Sequence, residues 1–300
     1  MNPDNSTHRV AVRTKLRREC SAALLVLRSV GIEAEMRHFD GDWLLLVAEE
    51  DWENSVEQLR EYHDENTAAA VQANERVTTQ YGGAVAGVVV YAICLIMFAM
   101  LDFQSLYEIQ WRSIGSSQSG RVVAGETWRV VTALTLHADV EHLAGNLVFG
   151  GLFGVIAGRV LGGGVAWLAI LLAGGLGNYI NAMVQAAEHN SIGASTAVFA
   201  SLGLTVAHAL RHRAADRVSR LKRWSPLIAG VVLFGFTGIG GERTDVLAHV
   251  TGFVSGLIVG WIGSALPAKT LSNRSVQTIC ATAAVGLVVI AWVIGVASAN

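Results

Sequence analysis

The stretch Tyr81–Leu101, YGGAVAGVVVYAICLIMFAML, contains no charged residue. Such a run is long enough to cross ~30 Å of hydrocarbon as a single helix. Working outward from it, further apolar segments follow at about 141–161, 164–186, 194–210, 226–240, 246–266 and 278–297, which makes seven in all. The fourth and fifth are short. Whole-chain composition agrees: of 300 residues 52% are hydrophobic and only 15% charged, against about 25% charged in a soluble domain. The 32 glycines fit as well, since glycine is more frequent in membrane helices than in soluble ones. A net charge of −2 offers no basic footprint, so no nucleic-acid partner is expected. Cys20, Cys94 and Cys280 are odd in number and far apart, which implies neither a disulfide framework nor a zinc knuckle. The fold class is an all-α polytopic membrane protein with seven transmembrane helices, its partner surface the lipid bilayer.

Upstream of Tyr81 the chemistry changes. Residues 1–80 hold nine Lys/Arg and fifteen Asp/Glu, so 24 of 46 charges fall in about a quarter of the chain. The longest apolar run there, Ala22–Leu27, is too short to span a bilayer and is flanked by Arg18 and Arg28. No signal or transit peptide is visible. Apolar spacing predicts a helix over Arg13–Ser29 and another over Asp51–Tyr62. Between them, Ile32–His38 and Asp42–Val47 read as a hairpin turning at Asp40-Gly41. This is a small soluble α+β domain at 1–66, followed by a polar linker at 67–80. Nothing in it looks catalytic.

Lys/Arg asymmetry orients the spans. Arg159, the cluster Arg211, Arg213, Arg217, Arg220, Lys222 and Arg223, and Lys269 with Arg274 put nine basic residues on one side. Arg112, Arg121, Arg129 and Arg243 put four on the other. Basic residues favour the cytoplasm, so a multi-pass protein of the cell membrane is expected, with its N-terminus cytoplasmic and its C-terminus outside.

Polar groups at membrane depth are costly, which makes them candidates for function. His142 and Asn146, in Glu141-His142-Leu143-Ala144-Gly145-Asn146, are four apart and share a helix face. Ser195 opens the fourth segment in Gly193-Ala194-Ser195-Thr196-Ala197-Val198-Phe199. His249 begins the sixth in Ala248-His249-Val250-Thr251-Gly252. All four lie near the outer ends of their segments. His249, Gly252, Gly256 and Gly260 form one stripe, and a glycine stripe admits a second helix to close backbone contact. Gly193, Ala197 and Ser201 form a candidate partner stripe, and their meeting would carry His249 to Ser195. A hydroxyl beside an imidazole is the ingredient of an activated nucleophile. Taken singly, each feature has a blander reading, as a backbone-bonded serine, an interfacial histidine or a packing glycine.

Metal chemistry fits poorly. His137-Ala138-Asp139-Val140-Glu141-His142 has one residue too many for His-x-x-Glu-His, and no His-Glu-x-x-His is present. Neither a metal nor another cofactor is expected.

Together the motifs resemble the rhomboid family of intramembrane serine proteases, over about Gly125–Leu266. They are Trp128-Arg129, His142-x-x-x-Asn146, Gly193-x-Ser195 and Ala248-His249-x-x-Gly252-x-x-x-Gly256. The resemblance implies a rhomboid-like helical core at 81–277 and an additional C-terminal span at 278–300, the "six plus one" variant. It implies a Ser195–His249 dyad without a third acid, and an oxyanion site made by Asn146, His142 and the Ser195 N–H. Gly193, Phe199, Gly252 and Gly256 are supporting residues, with Phe199 where the family often stacks a tyrosine on the histidine. The expected substrates are single-pass transmembrane proteins, cut near the extracytoplasmic face. Thr196 departs from the usual Gly-x-Ser-Gly. Asp245, four residues before His249, is a candidate to orient its ring. The alternative is a catalytically inactive relative that binds membrane proteins without cutting them, and a proton-relay transporter using His142 and His249 is a third reading.

Overall fold

The structure, a computed structural model, describes residues 8–78, 81–214, 220–238 and 245–299. Linker residues 79 and 80, and Arg217 and Arg243 of the orientation count, lie outside them. The chain divides into two units, Met1–Thr79 and Gln80–Asn300.

The first unit runs β1 (His8–Thr14), α1 (Arg17–Ser29), β2 (Ala34–Phe39), β3 (Asp42–Ala48) and α2 (Trp52–Thr78), with an antiparallel sheet ordered β1-β3-β2. The β2–β3 hairpin turns at Asp40 and Gly41, whose φ values of 50° and 82° are the left-handed pair that a type I′ turn requires. Cys20, Ala23 and Leu27 fall on one face of α1 and pack with Ile32, Leu45 and Val47. Two sequence expectations change. Arg13 and Thr14 end a strand rather than begin a helix, because the alternating HRVAVRT pairs with β3 from His8↔Ala48 to Thr14↔Trp43. Helix α2 continues past Tyr62 to Thr78. Ala68, Ala69, Ala70 and Ala73 are the strongest helix formers, and no glycine or proline interrupts them.

The second unit opens with α3 (Ala84–Phe103) and a long connection holding α4 (Trp111–Gly115), β4 (Ser117–Gln118), α5 (Ser119–Val123) and α6 (Arg129–Thr132). Then come α7 (Val140–Leu161), α8 (Gly163–Val184), β5 (Asn190–Ser191), α9 (Ser195–Ala214), α10 (Arg220–Gly238), α11 (Val246–Gly263), α12 (Ala268–Leu271) and α13 (Arg274–Ala299). Among the described residues, five helices are long and apolar enough to cross a membrane: α3, α7, α8, α11 and α13. In α10 the apolar part is only Trp224–Gly235. Helix α9 is long enough at 20 residues but less apolar. His208, Arg211, His212 and Arg213 in its last turns lower the average, while the turns before them are apolar. Ala194, Thr196–Leu202, Leu204, Val206 and Ala207 are buried on every side of the helix, with only glycine 203 lacking a side chain among 196–204. A helix that meets protein all round has no need of a lipid-facing surface.

The glycine stripe of α11 does meet α9, but on a neighbouring face to the one expected. A Cβ on Gly252 would collide with the Thr196 carbonyl, one on Gly256 with the Ala200 carbonyl, and one on Gly260 would lie 2.6 Å from the Leu204 Cα. The Gly193/Ala197/Ser201 face does not serve: Ala197 Cβ lies 2.8 Å from where a Cβ on Gly174 of α8 would be. Glycines on two neighbours therefore hold α9 by different faces.

The long connection is pinned from inside. The Arg129 guanidinium is 2% exposed and bonds the Glu126 carboxylate at 2.6 Å and the Ser113 and Ser116 carbonyls at 3.0 and 2.9 Å. β4 pairs with β5, which leads into α9. Trp292 of α13 stacks on Phe98 at 4.9 Å and donates its indole N–H to Thr135 Oγ1 at 3.1 Å.

Candidate active site

Ser195 is the first residue of α9. Gly193, just before it, has φ +130°, a value that side chains rarely tolerate, and donates its N–H to the Ala133 carbonyl at 2.9 Å. The first backbone bond of the new helix runs from Val198 N–H to the Ala194 carbonyl at 2.9 Å, so the N–H groups of Ser195–Ala197 lie ahead of it. Helix starts of this kind present partial positive charge.

His142 and Asn146 arrive from α7. The α7 N-terminus is capped by Asp139, whose carboxylate accepts the His142 backbone N–H at 2.8 Å. The His142 ring lies against Gly193: a Cβ there would sit 2.5 Å from Cε1 and 2.7 Å from Nε2, with Asn146 Nδ2 at 3.7 Å. Asn146 is 5% exposed, and its Nδ2 has no hydrogen-bond partner among the described residues. Tyr91 of α3 donates its hydroxyl to the Asn146 carbonyl at 2.8 Å and holds that turn of α7.

His249 arrives from α11. It is buried, and its ring lies on that of Phe199 with centroids 4.4 Å apart and planes at 34°. Phe199 is one helical turn after Ser195 and on the same face. The Gly252–Thr196 contact sets the height, because it brings the first turn of α11 level with the start of α9. His142, Asn146, Gly193, Ser195, Phe199 and His249 thus gather at one end of the bundle, while Gly252 and Gly256 form the seam behind them.

Residues 124–266 match the family described as Rhomboid domain. The rhomboid protease GluP of Bacillus subtilis is 28% identical over 200 residues, covering 66% of this chain and 37% of GluP. The putative rhomboid protease YdcA of the same organism is 24% identical over 173 residues, 58% of this chain and 85% of YdcA. The rhomboid protease GlpG of Haemophilus influenzae is 26% identical over 147 residues, 49% of this chain and 74% of GlpG. The chain is a rhomboid-family protein.

Family and apolar helices together make this rhomboid a multi-pass membrane protein. Thr196, the departure from the usual glycine, is 2% exposed, and its Cγ2 fills the space left by two glycines. A Cβ on Gly177 of α8 or on Gly252 of α11 would lie 2.9 Å from that methyl. The extra bulk is housed between helices, away from the His142 side.

Asp245 is placed differently from its candidate role. Its Oδ1 caps α11 by accepting the Ala248 N–H at 3.0 Å. Its Oδ2 accepts from Asn181 Nδ2 at 2.9 Å and meets His189 Nε2 at 2.8 Å. Burial pushes the carboxyl pKa up, but the bonds from Ala248, His189 and Asn181 outweigh it and hold the pKa below its ordinary value. The stabilisation is therefore complete above the ordinary 3.8 and is lost as pH falls through the lower folded value. Asp245 fastens the start of α11 to α8 and to the segment before α9. We predict that Asp245→Asn, which can still cap, lowers turnover only a few-fold and stability by about 1 kcal/mol, read from cleavage rates and thermal unfolding.

His137 was passed over in the sequence because its motif failed as a zinc site. It is fully buried, its ring stands 5.2 Å from that of His142, and neither ring nitrogen has a hydrogen-bond partner among the described residues. Burial first, and then the neighbouring His142, push its pKa down to about 3. It backs the His142 ring as a neutral imidazole at pH 7. The signal in the sequence was a histidine five residues before His142, too far to share its helix face.

Proposed function

We propose that this rhomboid is an intramembrane serine endopeptidase that cleaves single-pass transmembrane proteins with a Ser195–His249 dyad. The observation that carries the reading is the His249 imidazole packed against Phe199 at 4.4 Å, one turn from a serine that opens a buried helix. In the reaction, Ser195 Oγ attacks the scissile carbonyl carbon while His249 takes the hydroxyl proton. The tetrahedral oxygen accepts hydrogen bonds from Asn146 Nδ2, His142 and the Ser195 N–H at the positive end of α9. Collapse expels the amine, which takes its proton from His249. Water, activated by the same imidazole, then hydrolyses the acyl-enzyme.

Seven spans fit this reading, with α9 and α10 crossing as protein-covered or shorter helices. The units are a small α+β domain at 1–66, a linker at 67–80, a catalytic core at 81–277 and an additional span at 278–300. The basic-residue bias supports a cytoplasmic N-terminus and a site opening to the extracytoplasmic side.

A fluorophosphonate probe on the purified protein tests the reading. Covalent labelling that disappears in Ser195→Ala and His249→Ala is the expected result, and absence of labelling in the native chain overturns it. Asn146→Ala removes one oxyanion donor, and we predict a loss of ~10²–10³ in turnover with little change in KM. Steady-state cleavage of a single-span reporter measures both.

A further inference from the structure

Far from Ser195, the last turns of α9 carry His208 and His212, which the dyad does not use. They are four apart and share a face, with ring centroids 4.1 Å apart and planes at 36°. We infer that this pair is a two-histidine site for a borderline divalent transition-metal cation such as Cu²⁺ or Zn²⁺.

The hydrogen bonds decide the tautomers. Ser264, which follows α11 as its C-cap, donates its hydroxyl to the Gly260 carbonyl at 2.6 Å, so its oxygen is left to accept. His208 Nδ1 lies 3.1 Å from that oxygen and must be the donor. His212 Nδ1 lies 2.9 Å from the His208 carbonyl, which can only accept, so it too carries the hydrogen. A neutral imidazole has one N–H, and both lone pairs are therefore on Nε2. Metal-bound histidines almost always give their other N–H to a protein acceptor, which fixes the tautomer and raises ligand basicity. Here both supporting bonds exist before any ion arrives.

The surroundings admit a cation. His212 is exposed and His208 half-buried, so the site opens to solvent. Arg211, the nearest described cationic side chain on the helix, is drawn away: its guanidinium stands 5.3 Å over the Trp261 ring, and it donates to the Trp261 carbonyl at 3.5 Å. No group of three or more His, Cys, Asp and Glu able to hold a metal occurs among the described residues. Water completes the coordination, which makes the site an open one rather than a closed structural zinc centre. Two imidazoles select Cu²⁺, Ni²⁺ or Zn²⁺ over Mg²⁺ and Ca²⁺, which prefer oxygen. A bound ion holds the two rings together and fixes the His208 ring that bonds Ser264. The inference is independent of the proteolytic reading.

The test is Cu²⁺ titration of the purified full-length protein in detergent, followed by equilibrium dialysis and electron paramagnetic resonance. One ion per chain with two nitrogen ligands is expected. His208→Gln and His212→Gln should each weaken binding about tenfold or more, and Ser264→Ala about tenfold through loss of the tautomer-fixing bond. Binding that is unchanged in both histidine variants, or a single-nitrogen spectrum in the native chain, overturns the site. The native spectrum stands even if a variant fails to fold.

Discussion

Ser195→Ala is expected to abolish cleavage of transmembrane substrates and to leave the fold intact. The Ser195 hydroxyl is the nucleophile of the proposed dyad, and removing it leaves only binding and oxyanion stabilisation. In serine proteases that residual activity lies on the order of 10⁴–10⁶ below the native rate. His249→Ala is expected to cost as much, because the nucleophile without its base does not attack. The double variant should cost no more than either single one, since residues acting as a unit are not additive. The measurement is a cleavage assay on reporters bearing different single spans, run beside the fluorophosphonate label. Native-like cleavage by Ser195→Ala would end the proteolytic assignment.

Gly256→Ala is the second large effect, and it touches no reacting atom. Its Cβ would collide with the Ala200 carbonyl oxygen and stand 2.7 Å from the Ala200 C and Cα, all of them backbone atoms that cannot swing aside. Helix α11 must then back away from α9, taking His249 with it. A misplacement of about 1 Å costs on the order of 10² in rate, so a loss of that size or larger is expected. Overpacking should also destabilise the fold by about 1–3 kcal/mol. The control is Gly286→Ala in α13, where a Cβ meets nothing within 4 Å and neither rate nor stability should fall. Equal behaviour of the two variants in thermal unfolding and cleavage would show that the seam does not position the histidine.

The contrast between Gly256 and Thr196 explains part of what could be read in advance. A glycine stripe at i, i+4 announces a close helix contact whatever the partner, so Gly252 and Gly256 were legible as a seam. Which face of α9 they would meet was not. Gly193, Ala197 and Ser201 are as small as Thr196, Ala200 and Leu204 are mixed, and small size alone pointed to the first set. The choice fell to the second because Gly174 of α8 claims Ala197, leaving α11 the carbonyls of Thr196 and Ala200. Three helices compete for one, and a local pattern records only a pair.

Asp245 makes the same point for polar groups. Its spacing of four from His249 suggested an orienting carboxylate, yet its partners His189 and Asn181 are 56 and 64 positions away. Strand β1 was hidden for a related reason: Arg13 and Thr14 continue an apolar spacing that suits a helix, and only pairing with β3 makes them strand.

The linear chain determined by itself where apolar runs lie, that a serine heads the fourth of them, and that His142 and Asn146 share a face, because lipid solvation and helical period act over a few neighbouring residues. Only the tertiary structure decided that α9 is covered by protein on every side, that Gly252 and Gly256 meet Thr196 and Ala200, and that Asp245 bonds His189. Those outcomes come from side chains dozens of positions apart competing for the same space, and no local period carries that competition.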